Sequence, residues 1–250
     1  LADETLRREL AYHEQLYSGF AQRHFSRPAV RALRAHMVRR ILHRTGAGPG
    51  ARVLSLGCGI GDTELLLARH VKEVVGVDLS PRAVEQARAD AARAGVDNAS
   101  FVEGTTDRVR GAFDLVVAIF FLHHLTDAAL AGLPHQVRKL LARRGVFYSL
   151  DPSARRLSGK VGRLLIPRMM KKYQTEDERE LEPEATRSLF RAAGLHAETS
   201  VYDFASSPFA GLFPGWRGGY HAVRALDGAI LRIPGVARWG SNFEVVARCR

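Results

Sequence analysis

Three glycines at alternate positions, Gly57, Gly59 and Gly61, close a short apolar run, Val53-Leu54-Ser55-Leu56, and open a segment from Asp62 to His70 that reads as a helix. A strand, a tight glycine turn and a helix N-terminus let a ligand approach bare backbone and offer it unpaired N–H donors. The spacing separates two nucleotide chemistries. A dinucleotide turn reads G-x-G-x-x-G, its third glycine lying at the first helical turn beside the pyrophosphate. Here Asp62 stands three residues after Gly59. Its carboxylate repels a pyrophosphate, so NAD or FAD fits poorly and a ligand without phosphates fits better. Asp78 lies about 20 residues beyond Gly57, where a doubly wound sheet places the acid that accepts from ribose hydroxyls. Its competing role is to cap the helix that starts at Ser80-Pro81.

A second set could move protons. His123 and His124 follow the apolar run Phe113–Phe120, and Asp151 ends the run Gly145–Leu150. A histidine titrating near neutrality can take a proton from an acceptor hydroxyl or carbon acid. Against that, the histidines could cap the next helix and Asp151 could be a turn residue before Pro152. The two cysteines, Cys58 and Cys249, offer neither a disulfide framework nor C-x-x-C spacing, and no metal site is expected.

These residues need elements to position them. From Arg52 the chain alternates: strands at Arg52–Leu56, Glu73–Val77, Ala99–Glu103, Phe113–Phe120 and Gly145–Leu150, with helices Asp62–His70, Ser80–Ala94 and Asp127–Leu141 between them. That rhythm predicts an α/β fold with a parallel sheet and crossover helices. Glu182–Ala193 reads as a further helix, Ala197–Phe204 and Phe243–Ala247 as further strands, and 205–238 as an irregular cover rich in Gly, Pro and aromatics. Residues 3–44 read as two helices broken near Ser26-Arg27-Pro28, making residues 1–45 a helical lid before a main domain over 46–250.

The 250 residues carry a net charge of +11 with ordinary hydrophobic (46%) and charged (25%) fractions, so the surface favours anionic partners. Residues 155–172 hold seven Lys or Arg side chains and no acid, beside an apolar stripe at Leu157, Val161, Leu164 and Leu165. This amphipathic segment could lie on an anionic membrane, hold an anionic acceptor, or be a solvated face. With Phe209, Phe213, Trp216 and Tyr220 it marks two acceptor-side insertions, at about 153–181 and 205–240. The reduced cysteines and a charged N-terminus without an apolar core predict a cytoplasmic protein, with peripheral membrane contact as an option.

The motifs VLSLGCGIGDTE, VVGVDLS, ASFVEGTTD, FDLVVAIFFLHHL and LARRGVFYSLDPS, in this order and spacing, resemble the class I S-adenosylmethionine-dependent methyltransferases, in the small-molecule branch with Leu-His-His-Leu after the fourth strand. The resemblance covers about residues 50–152 well and 182–204 loosely. It implies a Rossmann-like, doubly wound, mostly parallel seven-stranded sheet with an antiparallel last strand. It implies S-adenosylmethionine as cofactor, with Gly57, Gly59 and Gly61 along its methionine and ribose part and Asp78 on the ribose hydroxyls. Leu79, Thr105 and Thr106 are implied at the adenine, Ala118 and Ile119 at the sulfonium, and Tyr17 is assigned to the cofactor from the N-terminal segment. Two positions depart from the pattern. Ser55 stands where the family has an acid, leaving an indirect contact to the cofactor's amino group without its usual partner, and Thr105 replaces an Asp.

The expected reaction moves the methyl group to an oxygen or carbon of a hydrophobic small molecule, with His124 favoured over His123 as base and Asp151 as a second candidate. Phe121-Leu122-His123-His124 occupies the place where methyltransferases of exocyclic base amines carry Asn/Asp-Pro-Pro-Tyr/Phe, and no separate RNA-binding module is visible, so no specific nucleic acid partner is expected. A nucleic-acid-modifying methyltransferase and a non-catalytic cofactor-binding scaffold are the alternatives.

Overall fold

The computed structural model describes residues 24–157 and 180–249. Seven strands form one sheet: β1 (Arg52–Leu56), β2 (Glu73–Asp78), β3 (Ala99–Glu103), β4 (Phe113–Ile119), β5 (Leu141–Pro152), β6 (His196–Asp203) and β7 (Asn242–Arg248). Their order is β3-β2-β1-β4-β5-β7-β6. The pairings among β1 to β5 are parallel, and β7 runs antiparallel to both β5 and β6. Helices α1 (Pro28–Thr45), α2 (Asp62–Leu67), α3 (Pro81–Ala94), α4 (Asp127–Leu140), α5 (Pro183–Ala192), α6 (Ser206–Leu212) and α7 (Arg217–Ile230) flank it.

The central strands are apolar because both faces are covered. On one face Met37 and Ile41 of α1 pack with Val53, Leu115, Tyr148, Tyr202 and Tyr220. On the other, Leu133 and Val137 of α4 and Phe190 of α5 pack on Leu54, Val116 and Phe147, the Phe147 and Phe190 rings stacked at 4.5 Å. Helix α1 thus shares a core with the sheet. Local signals set the edges of α3: the Ser80 hydroxyl accepts from the Ala83 N–H, Pro81 opens the helix, and Gly95 closes it at φ 61°. Strand order reverses at β1, whose neighbours are β2 and β4, so the crevice for a ligand opens at the C-terminal ends of these strands.

The expectation of an irregular 205–238 is corrected, since α6 and α7 occupy most of it. The start of α6 is capped by one remote and one local carboxylate: Asp227 accepts from the Ala205 and Ser206 N–H groups, each at 2.9 Å, and Asp203 from Ser207 N–H at 2.6 Å. The glycines serve packing as well as turns. A Cβ on Gly219 in α7 would stand 2.6 Å from Trp216 and 2.7 Å from Phe209. Strand β5 is longer than expected and α2 shorter. Tyr17 and most of the basic segment 155–172 lie outside the described residues. Among the described residues, no helix is long and apolar enough to cross a membrane.

Candidate active site

The site grows out of the turn after β1. Gly57, Gly59 and Gly61 have φ of 64°, 53° and 76°, a region costly for side chains with a Cβ. Space is equally decisive: a Cβ on Gly57 would run into the Phe121 ring, and one on Gly61 would stand 2.7 Å from Phe101. The turn is pinned to β2, with the Gly57 and Cys58 N–H groups donating to the Val77 carbonyl at 2.8 and 3.1 Å. Asp78 ends β2 with one oxygen accepting from the Gly59 N–H at 2.8 Å and the other from the Ser80 N–H at 2.9 Å. The cap of α3 is Ser80 itself, so Asp78 is oriented toward the turn, and each oxygen keeps lone-pair capacity for a hydroxyl donor.

A cavity of about 310 Å³ opens against this turn. The glycine turn and the start of α2 form its polar wall; Phe25, Val30 and Leu33, Ile119 and Phe120 at the end of β4, and Ser207 and Gly211 of α6 form the rest. Two carboxylates stand on the polar wall. Asp62 is paired with Arg34 of α1 at 2.8 Å, and the Arg34 guanidinium lies 5.0 Å from the centre of the Phe25 ring. Glu64 is buried and accepts from the Ser55 hydroxyl at 2.6 Å. Burial lifts its carboxyl to about 7; the Ser55 hydrogen bond opposes that rise and Asp62 adds to it. Sequence reasoning missed Glu64. The signal was Ser55, the position lacking its expected acid, whose hydroxyl holds the Glu64 carboxylate instead.

Phe120 turns the chain out of the sheet. Its φ of 53° is the one positive value of a non-glycine among the described residues, and its N–H donates to the Leu150 carbonyl at 2.7 Å. A side chain in that region costs on the order of 1 kcal/mol, and such residues cluster at functional sites. The turn puts the Phe120 ring on the cavity and sends Leu122–His124 across to β5. There His123 Nδ1 lies 3.0 Å from Asp151 Oδ1, which also accepts from the His123 backbone N–H at 3.3 Å. An ionised Asp151 can only accept, so opposite it the His123 proton belongs on Nδ1 and Nε2 is left to accept. The His124 ring packs on that of His123 with centres 4.0 Å apart. Asp151 thus pairs with His123, and neither histidine lines the cavity.

The other expected positions divide. Ile119 lines the cavity, whereas Ala118 is fully buried in β4 between Leu56 and Ser149. Leu79 is exposed beside Asp78. Thr105 and Thr106 sit at the turn after β3, tied to β2 by the Gly104 N–H donating to the Asp78 carbonyl at 2.9 Å, and the Thr105 hydroxyl is spent on Asp107. None of the last four lines the cavity. Among the described residues, no three His, Cys, Asp or Glu side chains gather as a metal site.

The residues fit an adenosyl cofactor with a cationic amino-acid end: a turn of three positive-φ glycines, a carboxylate at the end of β2 with free acceptor capacity, and a buried carboxylate on the cavity wall. Comparisons agree. A methyltransferase-domain family model matches residues 53–145. The uncharacterized methyltransferase sll0829 of Synechocystis is 34% identical over 113 residues, 44% of this chain and 51% of that protein. The 23S rRNA (uracil(1939)-C(5))-methyltransferase RlmD of Aeromonas salmonicida is 37% identical over 123 residues, 46% of this chain and 27% of that protein. The chain therefore spans about half or less of the length of these curated relatives. The structure of magnesium protoporphyrin IX methyltransferase from Synechocystis PCC 6803 with bound SAH superposes with a TM-score of 0.64 at 15% identity, covering 97% of this chain and 100% of that one. Residues 53–145 are thus a methyltransferase domain, within a chain that has the class I S-adenosylmethionine-dependent methyltransferase fold.

Proposed function

We propose that the protein transfers a methyl group from S-adenosylmethionine to an oxygen or carbon of a hydrophobic small molecule, a secondary metabolite or a lipid-linked acceptor. The observation that carries this reading is the divided lining of the 310 Å³ cavity, backbone and carboxylates on one wall and Phe25, Val30, Leu33, Ile119 and Phe120 on the other. When bound, the cofactor supplies an electrophilic methyl group on a sulfonium. Gly57, Gly59 and Gly61 would follow it with bare backbone and Asp78 would accept from its ribose, with Leu79, Thr105 and Thr106 beyond the cavity on the adenine side and Ile119, which lines the cavity, at the sulfonium. Residues 24–45 serve as part of the lid, Arg34 reaching from α1 to Asp62 across the cavity rim.

Methyl transfer is an in-line displacement, so holding the acceptor in line supplies much of the rate. The apolar wall holds and dries the acceptor. An acceptor hydroxyl or carbon acid must also lose a proton, and we assign it to His123 Nε2, reached by an acceptor that extends past Phe120 beyond the cavity lining, with Asp151 fixing the ring and balancing the positive charge that forms on it. His124 supports the ring by packing on it. Exposed Leu212, Phe213, Trp216, Leu226 and Ile233, among Arg217, Arg232 and Arg238, support delivery of an apolar acceptor at an anionic lipid surface.

The similarity to an rRNA uracil methyltransferase and the net charge of +11 favour a second reading, a nucleic acid acceptor. One experiment separates the readings. The protein is given methyl-labelled S-adenosylmethionine with a panel of apolar phenols, polyketides and lipid-linked acceptors and, in parallel, total RNA. Label in the organic extract supports the small-molecule reading, label in RNA replaces it with the second, and cofactor binding without label in either leaves a scaffold.

A further inference from the structure

We propose that the Ser55–Glu64 pair is the charge acceptor of the cavity: Glu64 takes up the positively charged amino-acid end of the bound cofactor, and capture of the cofactor expels a proton from the pocket. The proposal rests on the cofactor reading above and assigns to it a residue and a linkage.

Glu64 is only 3% exposed, yet it forms part of the cavity wall. Its side-chain hydrogen bond comes from Ser55, itself 1% exposed, at 2.6 Å, and that bond fixes one carboxylate oxygen. A carboxylate so enclosed is unfavourable unless a cation or several donors face it. The groups around it do not supply that cation. Asp62, on the same helix, and Asp78, from β2, carry the same sign. Cys58 of the turn is buried, its thiol pushed well up by desolvation and then by Glu64 and Asp78, so it stays neutral. Arg34, from α1, opposes the rise, but its ion pair is with Asp62 at 2.8 Å. His24, elsewhere on the cavity wall, is lowered by burial and by Arg34 and Arg27. A ligand cation is the missing partner. Without it Glu64 keeps its proton near neutral pH; with it the carboxylate ionises, and the proton leaves to solvent as the cation enters.

Calorimetric titration with S-adenosylhomocysteine, which keeps the charged amino-acid end, and with 5′-methylthioadenosine, which lacks it, tests this on the intact chain. Wild-type affinity for S-adenosylhomocysteine is expected to rise about tenfold between about pH 6 and about pH 8, because binding selects the ionised form. The heat should differ between phosphate and Tris by the ionisation of a released proton. Glu64→Gln should bind about tenfold more weakly at the higher pH, with no pH dependence and no buffer-dependent heat, while 5′-methylthioadenosine binds it as it binds wild type. Ser55→Ala, which keeps the carboxylate and loses its donor, should shift the pH dependence upward. Wild-type affinity and proton release retained in Glu64→Gln would overturn the proposal alone, as would equal losses for the two ligands. A wild-type protein that binds neither ligand would overturn the cofactor reading itself, and the proposal with it.

Discussion

A buried carboxyl that titrates at about 7 makes the folded protein bind a proton that the unfolded chain, with a normal Glu near 4.5, has already released. Its contribution to stability is therefore complete below about pH 4.5 and is lost as pH rises through about 7. Glu64→Gln removes this dependence. Between about pH 5 and about pH 8 the variant should gain on the order of 3 kcal/mol relative to wild type, read from urea midpoints at each pH. An unchanged difference across that range would mean that Glu64 is ionised when the protein folds.

The histidine pair gives a kinetic counterpart. His123→Gln and Asp151→Asn should each lower kcat by about 10²- to 10³-fold while leaving S-adenosylhomocysteine affinity intact, and His124→Ala should cost less than either. A His124→Ala loss equal to that of His123→Gln would reverse the assignment. The position of Asp78 at the end of β2 was legible in the sequence because strand ends recur at fixed places in this fold. Glu64 was not, because only the folded turn brings it back against Ser55. Between His123 and His124 the choice depends on which face of a single 3₁₀ turn meets β5, and the one-dimensional pattern contains nothing about that face.

At the scale of elements, helix α1 is held by charge as well as by packing. Glu244, in the middle of β7, accepts from Arg40 at 3.1 and 2.7 Å, from the Tyr148 hydroxyl at 2.9 Å and from Ser200 at 2.6 Å, and Arg44 lies 2.9 Å from it. With no exposed surface of its own, the carboxylate is sustained by these donors; burial and the same carboxylate push the Tyr148 hydroxyl well up. Glu244→Ala strips two arginines and two hydroxyls of their shared acceptor, and unfolding should become easier by about 3 kcal/mol, with an unchanged denaturant slope. A loss well under 1 kcal/mol would mean that the apolar face of α1 alone anchors the helix. Strand edges on β1 to β4 were legible to within a residue, since a strand covered on both faces leaves an unbroken apolar run. Helices α6 and α7 were hidden because one of the carboxylates that caps α6, Asp227, reaches it from α7, and because their glycines mimic a loop.

For the molecule as a whole, two features coincide on the segment that closes the cavity. Helices α6 and α7 and the turn after them expose Phe213 (52%), Trp216 (62%), Leu226 (57%) and Ile233 (51%). The exposed arginines of that segment are Arg217, Arg232 and Arg238; Arg224 turns inward to Tyr202 and Asp227, and Asp227, the segment's one acid, is buried in the α6 cap. In water the apolar side chains are unfavourably exposed by about 25 cal/mol for each Å² of apolar surface, and the net charge of +11 draws the same face toward anionic surfaces. Insertion of the aromatic and aliphatic groups, with the arginines at the headgroups, would relieve both terms at once. The protein should therefore co-sediment with vesicles that contain phosphatidylglycerol and not with pure phosphatidylcholine vesicles. Binding should weaken as salt rises, since the charge term is screened while the apolar term is not. Trp216→Ser combined with Ile233→Ser should reduce binding at least tenfold at low salt without altering S-adenosylhomocysteine affinity, because neither residue lines the cavity. If that double variant binds as wild type does, the contact is electrostatic alone, and delivery of an apolar acceptor through α6 and α7 is ruled out.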